Sequence, residues 1–343
     1  MKKLWLYSVR AYLRLGMFFY FRRIHVHNID SVPKNKPVLL LSNHQNALLD
    51  ALLIATRSNR FAFFLTRAGV FKKELVSKLL KSLQMLPVYR VRDGWSTITK
   101  NNEIFETCSK LLHENNMVII FPEGSHNLAR RVRVLSKGFT RIVFDTLDVY
   151  PETDLQLVPI GLNFKNAKIY PDETSMYYGK PIAAKEFLKG SKNENILSLK
   201  LEIQERLKEL TTHIPIENYD EDLNKLESIN VDFLKPKQVN DCLKTNFKDC
   251  KPVSISKINW LRKLFKLLLI INVLPPYLVW KLIAEPKIKE LEFLSTFRFA
   301  IAITLVPIYL IVTTIVLGVL LTPIIALYYF MFVIIISLLT VKL

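Results

Sequence analysis

The sequence predicts an α/β fold: a mixed, largely buried sheet flanked by helices, with an N-terminal interfacial helix and a C-terminal transmembrane helical hairpin. Three observations lead to this prediction. Between residues 30 and 215, short apolar runs alternate with stretches of helical periodicity. Residues 299–341 contain no charged side chain. Residues 4–21 combine many apolar and aromatic side chains with Arg10 and Arg14.

Strands that alternate with helices are typical of a sheet covered on its faces by helices. The predicted strands are Pro37–Ser42, Phe61–Thr66, Met85–Tyr89, Met117–Phe121, Leu155–Phe164 and Ser175–Gly179. The predicted helices are Ala47–Ala55, Lys72–Leu83, Ile98–Glu114, Lys137–Leu147 and a last one over 194–212. Together they place the α/β domain at residues 25–215.

The uncharged run at the C-terminus is too long for one membrane crossing. As one helix it would measure roughly 65 Å, about twice the hydrocarbon thickness of a bilayer. Thr322 and Pro323 are suited to begin a second helix, so residues 299–343 are predicted to form a hairpin with spans near 299–319 and 323–341. Because Arg298 and Lys342 flank it, both ends and the α/β domain are predicted to face the cytoplasm.

Three further segments complete the organisation of the chain. Residues 1–24 are predicted to form an amphipathic helix at the membrane interface, with packing onto the domain as the alternative. Residues 216–257 are polar and rich in lysine, which indicates a linker or a small helical insert. Residues 258–298 hold an apolar run broken by Pro275 and Pro276, which favours an interfacial or re-entrant helical segment.

Composition restricts the partners. The formal charge is +18, with 48 lysines and arginines against 30 acids, and this balance favours an anionic partner such as membrane lipid or a phosphorylated substrate. Nucleic acid is not expected, because the aromatic residues lie in apolar segments and are not interleaved with the basic ones. Three cysteines without a C-x-x-C pair argue against a disulfide scaffold and favour a reducing compartment.

The first candidate site is the segment from Ser42 to Asp50, which directly follows a predicted strand. His44 lies at the strand-to-helix turn, and an imidazole can take a proton from a hydroxyl near neutral pH. Asp50 can hold the other ring nitrogen and stabilise the imidazolium. The alternative is a helix-capping histidine followed by an unrelated, exposed aspartate.

The second candidate site is the turn Phe121-Pro122-Glu123-Gly124, again after a β-branched strand. Proline and glycine on either side of Glu123 fix a turn that presents its carboxylate. Five cations follow before the next acid: Arg130, Arg131, Arg133, Lys137 and Arg141. Such a cluster can hold a phosphate, or it can be a solvated basic face that lies against anionic lipid.

These segments resemble the glycerolipid acyltransferases, the family that includes 1-acylglycerol-3-phosphate acyltransferase. Five blocks match in order over residues 37–182: Asn43-His44 with Asp50, Leu86-Pro87-Val88-Tyr89-Arg90, Phe121-Pro122-Glu123-Gly124, Val158-Pro159-Ile160-Gly161 and Tyr178-Gly179-Lys180-Pro181-Ile182. Each block is loose on its own, and their order is what makes the resemblance specific.

The resemblance implies a role for each matching residue. His44 would be the general base and Asp50 would orient it. Arg90 would bind the acceptor phosphate, while Glu123 and Gly124 would help to hold the acceptor. The histidine would activate the hydroxyl directly, so no acyl-enzyme, metal or organic cofactor is implied. The wider set of candidate binding residues on the two turns also includes Asn43, Ser125, Arg130 and Arg131.

Two departures from the family pattern matter. Five residues separate His44 from Asp50 where the family usually has four, so the dyad requires the extra residue to lie in the turn, with Asn46 as N-cap. Ser125-His126-Asn127 replaces the family's Thr-Arg-Ser. We therefore expect Arg130 or Arg131 to take over the phosphate.

The function expected from the resemblance is membrane-bound O-acyl transfer from an acyl thioester, carried by CoA or acyl carrier protein, to a lysophospholipid-type acceptor. Lysophosphatidate, giving phosphatidic acid, is the preferred acceptor. Glycerol-3-phosphate and an acyl amino acid lipid are alternatives. A non-catalytic lipid-binding scaffold on the same fold is the alternative of a different class, and a His44–Asp50 pair within hydrogen-bonding distance would count against it.

Overall fold

The computed structural model of the chain describes residues 1–89, 101–254 and 259–343. Its strands are β1 (Phe21–His27), β2 (Val38–Ser42), β3 (Ala62–Arg67), β4 (Met85–Val88), β5 (Met117–Ile120), β6 (Gln156–Phe164), β7 (Asp172–Tyr178) and β8 (Ile182–Ala183). They form one eight-stranded sheet in the order β1-β7-β6-β2-β5-β3-β4, with β8 paired to β6.

The helices of the α/β domain are α1 (Lys2–Tyr20), α2 (Ala47–Arg57), α3 (Glu74–Ser82), α4 (Asn101–His113), α5 (Gly138–Val149) and α6 (Lys192–Leu210). After the domain come α7 (Tyr219–Ile229), α8 (Pro236–Lys244), α9 (Asn259–Asn272), α10 (Leu274–Leu278), α11 (Leu294–Leu320) and α12 (Pro323–Lys342).

The sheet is mixed and its centre is buried, as the sequence predicts. β2 runs parallel to β5 and to β6, whereas β6 pairs antiparallel with β7. Every residue of β2, β5 and β6 is buried. Leu41 pairs with Ile120 across the β2–β5 ladder, so the turns that follow these two strands emerge side by side at one edge of the sheet. This adjacency brings the two candidate segments together.

Helices cover both faces of the sheet and form two cores. On one face, α1 and α2 bury Met17, Leu49 and Leu53 against the sheet. On the other face, α4, α5 and α6 pack around Phe105, Phe139 and a row of leucines and isoleucines. Strand β2, which directly precedes His44, is therefore packed on both faces, and this fixes the position of the turn after it.

Strand β1 was not predicted from the sequence. Residues 1–24 were expected to be one interfacial helix, but the helix ends at Tyr20 and the chain continues as a strand parallel to β7. β1 lies at the edge of the sheet, and its charged residues Arg22 and Arg23 hide the alternating pattern of a strand. The position of this segment in the sheet determines that it forms a strand, and the local sequence does not encode that position.

Helix α1 packs onto the domain through its arginines. Arg14 Nε donates to the carbonyl of Thr56 at 2.7 Å, and Arg10 donates to the carbonyl of Ser58. These carbonyls belong to the C-terminal end of α2 and the residue after it, where cations are favoured. Leu4, Tyr7 and Leu15 of the same helix are exposed. These contacts show how α1 packs onto the domain. A role of α1 at the membrane interface stays a prediction.

Two C-terminal helices are long and apolar enough to cross a membrane: residues Leu291–Leu320, which include α11, and Pro323–Lys342, which form α12. Thr322 caps α12, since its hydroxyl accepts the Ile325 N–H at 3.3 Å. Lys342, at the far end of α12, donates to the carbonyl of Phe21 at 2.8 Å. Arg298, near the start of α11, donates to the carbonyl of Lys168 at 2.9 Å, so both outer ends of the hairpin lie next to the α/β domain.

Residues preceding the hairpin form a broken helix. Trp260–Asn272 and Leu274–Lys287 are bent by 100° relative to each other, so the pair is either a broken span or a re-entrant loop. The bend falls at Val273, directly before the second helix, which carries Pro275 and Pro276 in its first turn, where proline is favoured and cannot continue a preceding helix. This geometry agrees with the expected break in the segment, and its depth in a membrane stays a prediction.

The polar region after α6 has a small core of its own. Ile214, Leu226 and Val239 are buried together between α7 and α8, so this region contains helices where the sequence analysis left a linker open. Cys242 and Cys250 form a disulfide bond there, which was not expected, because the sequence argued against a disulfide scaffold and favoured a reducing compartment. The third cysteine, Cys108, is free and buried, and burial raises the pKa of its thiol to about 12.

Candidate functional site

The turn between β2 and α2 brings His44 and Asp50 into contact. His44 Nδ1 lies 2.8 Å from Asp50 Oδ2. The Asp50 side chain is fully buried, and that of His44 is 13% exposed. The same carboxylate oxygen accepts the backbone N–H of Asn46 at 2.7 Å. The carboxylate is thus held by two donors, and the imidazole is oriented with its Nε2 as the basic nitrogen.

The five-residue spacing is absorbed at the start of α2. Asn46 precedes the helix, and Ala47 has a φ of +43°, a conformation that alanine rarely adopts. The extra residue therefore lies in the turn, in the place the dyad requires. The expected N-cap is different in detail: the Asn46 side chain makes no capping hydrogen bond, and the Asp50 carboxylate binds the Asn46 N–H.

The imidazole is enclosed by rings from the neighbouring turn. The His44 and Phe121 rings are stacked with centroids 4.1 Å apart, and the His126 ring meets His44 edge-on at 5.6 Å. The backbone N–H of Asn127 donates to the His44 carbonyl at 3.0 Å. The turn after β5 thus fixes both the ring and the backbone of His44.

Glu123 is buried in the same turn and is paired with a cation. Its side chain is 3% exposed, and Arg133 Nε donates to Glu123 Oε2 at 2.6 Å. Arg133 Nη1 also donates to the Ser125 hydroxyl at 2.7 Å. Burial raises the pKa of Glu123, while the Arg133 cation and its hydrogen bond act in the opposite direction. Gly124 turns the chain with a φ of +71°, which favours glycine.

Two predicted binding residues have structural partners. The Asn43 amide donates to the Leu162 carbonyl at 3.0 Å and accepts the Leu162 N–H at 2.8 Å. Arg130 donates through both terminal nitrogens, each at 2.7 Å, to the carbonyls of Phe164 and Lys165, and its guanidinium lies 3.8 Å from the Phe233 ring centroid. These contacts hold the two turns against β6 and occupy the groups that were expected to bind substrate.

Arg131 differs from its neighbour. Within the part of the chain that the structure describes, its buried Nε has no hydrogen-bond partner. It lies near His213, whose Nδ1 accepts the Val132 N–H at 3.0 Å. Burial, together with the nearby cations Lys208 and Arg131, lowers the pKa of His213 to about 4. Arg90, the other predicted phosphate ligand, lies outside the described residues.

The C-terminal region makes a contact with the site that was not predicted from the sequence. The Phe293 ring meets the His126 ring edge-on at 4.6 Å, and Glu290 Oε2 lies 3.8 Å from His126 Nε2. These residues directly precede α11 and are more than 160 positions away in sequence from the turn they contact. Nothing in the local sequence indicates this pairing. Arg133 was noted among the clustered cations, but its role as the partner of Glu123 was also missed.

One group of side chains could bind a metal ion. His126, Glu290 and Glu292 each offer a ligand atom, and these atoms lie within 4.8 Å of one another. The sequence analysis expected no metal and no organic cofactor, and that expectation stays untested.

A family model agrees with the expected family over part of the chain. Residues 23–163 match the model of the family described as Acyltransferase. A solved structure, the 1-acyl-sn-glycerophosphate (LPA) acyltransferase PlsC from Thermotoga maritima, is similar with a TM-score of 0.44 and 18% identity, covering 61% of this chain and 80% of that one. No curated protein matches the sequence significantly.

Proposed function

We propose, starting from the match of residues 23–163 to the Acyltransferase family model, that this protein is a membrane-bound O-acyltransferase. It transfers a fatty acyl group from an acyl thioester of CoA or acyl carrier protein to the free hydroxyl of a lysophospholipid-type acceptor. The preferred acceptor is 1-acylglycerol-3-phosphate, which would give phosphatidic acid. The observation that carries the proposal is the 2.8 Å contact between His44 Nδ1 and the fully buried Asp50 carboxylate.

The reaction follows from the orientation of the imidazole. His44 Nε2 accepts the proton of the acceptor hydroxyl while the oxygen attacks the thioester carbonyl carbon. The Asp50 carboxylate stabilises the imidazolium that forms. The carbon–sulfur bond then breaks, and the imidazolium returns its proton to the leaving thiolate. The acyl group ends on the acceptor oxygen and the thiol is released, so atoms and charge balance.

The turn after β5 is proposed to hold the acceptor next to this base. Glu123, Gly124 and Ser125 form its backbone, and Arg133 keeps the buried Glu123 carboxylate in place. Arg130 and Asn43 support the turns from behind through backbone carbonyls. Arg131, together with Arg90, is therefore the cation proposed for the acceptor phosphate.

The membrane elements fit a lipid acceptor. Two helices are long and apolar enough to cross a bilayer, and a lysophospholipid and its product both reside there. We further propose that the catalytic domain faces the cytoplasm, where acyl thioesters are made, because Arg298 and Lys342 mark the ends of the hairpin next to the domain.

An acyl-transfer assay tests the proposal. The purified full-length protein is given acyl-CoA or acyl carrier protein thioester with lysophosphatidate, glycerol-3-phosphate or an acyl amino acid lipid in lipid vesicles. We expect acylation of lysophosphatidate to exceed that of the other acceptors. Preference for another acceptor would replace the proposed substrate, and no transfer to any of them would favour the non-catalytic scaffold.

A further inference from the structure

A large cavity lies outside the α/β domain core, among the membrane-associated helices. Its volume is about 600 Å³, within the range of about 300–1,000 Å³ that is typical of small-molecule sites. Helices α1, α9, α11 and α12 line most of it. Apolar side chains form most of its wall, among them Leu15, Leu269, Val306 and Phe330.

This cavity is separate from the candidate catalytic site. Among the described residues, its lining includes neither member of the His44–Asp50 pair and no residue of the turn after β5. It begins about one helical turn into α11, at Arg298, whereas Phe293, just before that helix, contacts His126. The two sites therefore share an element but no side chain.

The rim of the cavity is cationic. Four basic residues line it, Lys168, Lys266, Lys281 and Arg298, together with one carboxylate, Glu285. Glu285 is 2.7 Å from Lys281, so this pair largely neutralises itself. The other three cations have no ion-pair partner among the described residues.

The contacts of these cations leave donors available. Lys266 Nζ has a carbonyl contact to Tyr170 at 3.4 Å, and Arg298 Nη2 donates to the Lys168 carbonyl at 2.9 Å. Arg298 Nη1 is buried and has no hydrogen-bond partner in the described part of the chain. A buried guanidinium donor without an acceptor is unfavourable unless a ligand supplies one.

We infer that this cavity binds an anionic glycerophospholipid from the surrounding bilayer. One acyl chain occupies the apolar interior, and the headgroup phosphate accepts hydrogen bonds from Arg298 and Lys266 at the rim. Two of the helices that enclose the cavity, α11 and α12, are long and apolar enough to cross a membrane, and α9 belongs to the bent helix pair, so the molecules next to its opening are lipids. An anionic lipid carries both an apolar chain, which suits the apolar wall, and a negatively charged headgroup, which suits the cationic rim.

Lipid retention measured by native mass spectrometry tests the inference. The full-length protein is taken from nanodiscs containing equal amounts of phosphatidylglycerol and phosphatidylcholine. Phosphatidylglycerol is neither the acceptor nor the product of the proposed reaction, so the result is independent of acyl transfer. The wild type should retain phosphatidylglycerol in preference to phosphatidylcholine by about fivefold or more.

Two pairs of variants locate the site. Lys266→Gln should lower the preference for phosphatidylglycerol about fivefold, and its control is Lys263→Gln, an exposed lysine of the same helix that does not line the cavity. Val306→Trp should fill the cavity and abolish retention of a tightly bound lipid. Its control is Val312→Trp, an exposed position of α11 outside the cavity.

The outcomes separate this site from the catalytic one. His44→Ala should keep the bound phosphatidylglycerol, whatever its effect on acyl transfer. Equal retention of the two lipids by the wild type would overturn the inference, as would retention by Val306→Trp or an equal loss in Lys263→Gln. Loss of the lipid in His44→Ala would assign it to the catalytic site and contradict a separate one.

Discussion

The turns around His44 and the cavity among the membrane helices differ in whether their charged groups have partners. Around His44, the two buried carboxylates each have a partner within 3 Å: the Asp50 carboxylate binds His44 and Asn46, and Glu123 binds Arg133. At the cavity, three cations have no carboxylate partner among the described residues, and Arg298 keeps a buried nitrogen without an acceptor. The first arrangement positions groups for a reaction, and the second leaves room for a ligand.

The largest effect should come from the base itself. His44→Ala should lower acyl transfer by about 10³-fold, because general base catalysis contributes about 10²- to 10⁴-fold. The protein should remain folded and membrane-bound, since the imidazole forms no part of either core and the Asp50 carboxylate keeps the Asn46 N–H as a donor. The rate of acylation in vesicles, with the amount of membrane-bound protein as control, measures this. Near wild-type transfer would exclude His44 as the base.

A smaller effect should distinguish the paired charges from the unpaired ones. Arg133→Gln removes the partner of a carboxylate that is 3% exposed and should destabilise the protein by about 3 kcal/mol. Lys266→Gln at the cavity should change stability by no more than about 0.5 kcal/mol. Thermal unfolding in the same detergent compares the two variants. Equal shifts in the unfolding temperature would contradict the claim that Arg133 is an ion-pair partner and Lys266 is not.

The double variant Glu123→Gln/Arg133→Gln serves as the control for this comparison. It removes both charges, so no carboxylate is left buried without its cation, and part of the lost stability should return. A double variant less stable than Arg133→Gln alone would show that the ion pair is not what holds the turn.

A third test uses a buried carboxyl that has no ion pair among the described residues. Burial raises the pKa of Asp172 from 3.8 to about 6. Because the pKa of Asp172 is raised on folding, its protonated carboxyl stabilises the folded protein fully below about pH 4. This stabilisation is lost as the pH rises through about 6. Asp172→Asn should therefore gain in stability relative to the wild type between pH 4 and pH 7, by up to about 3 kcal/mol.

Unfolding of both proteins at each pH measures this difference. His213 changes stability in the opposite direction, because its lowered pKa of about 4 makes the protein lose stability as the pH falls below about 6.5. This change is common to both proteins and cancels in the comparison. A difference that does not vary with pH would show that Asp172 is not the titrating group.

The comparison also shows which features the sequence encodes locally. β2 and β5 are apolar strands ended by turn residues, and both were predicted to within about one residue because local pattern determines a buried central strand. The contact of His44 with Asp50 was predicted on one condition, that the extra residue lies in the turn. The structure meets it through the positive φ of Ala47, which no sequence rule for alanine would have suggested.

Long-range packing accounts for what was missed. Strand β1 forms because β7 offers it an edge, and Arg130 was expected at the phosphate because its sequence neighbours are basic. In the structure, the carbonyls of Phe164 and Lys165 bind its guanidinium. The contact of Phe293 with His126 and the cavity between α1 and the C-terminal helices depend on how distant segments meet. Periodicity and motif spacing contain no information on such contacts.

The central claim is that His44 and Asp50 act as one unit, and a double-mutant cycle on acyl transfer tests it most directly. His44→Ala, Asp50→Asn and the double variant are compared with the wild type under the same conditions. The account predicts that the double variant is within about threefold of His44→Ala, because Asp50 acts only through the imidazole. Losses that multiply in the double variant would mean that the two residues act independently, and would contradict the account.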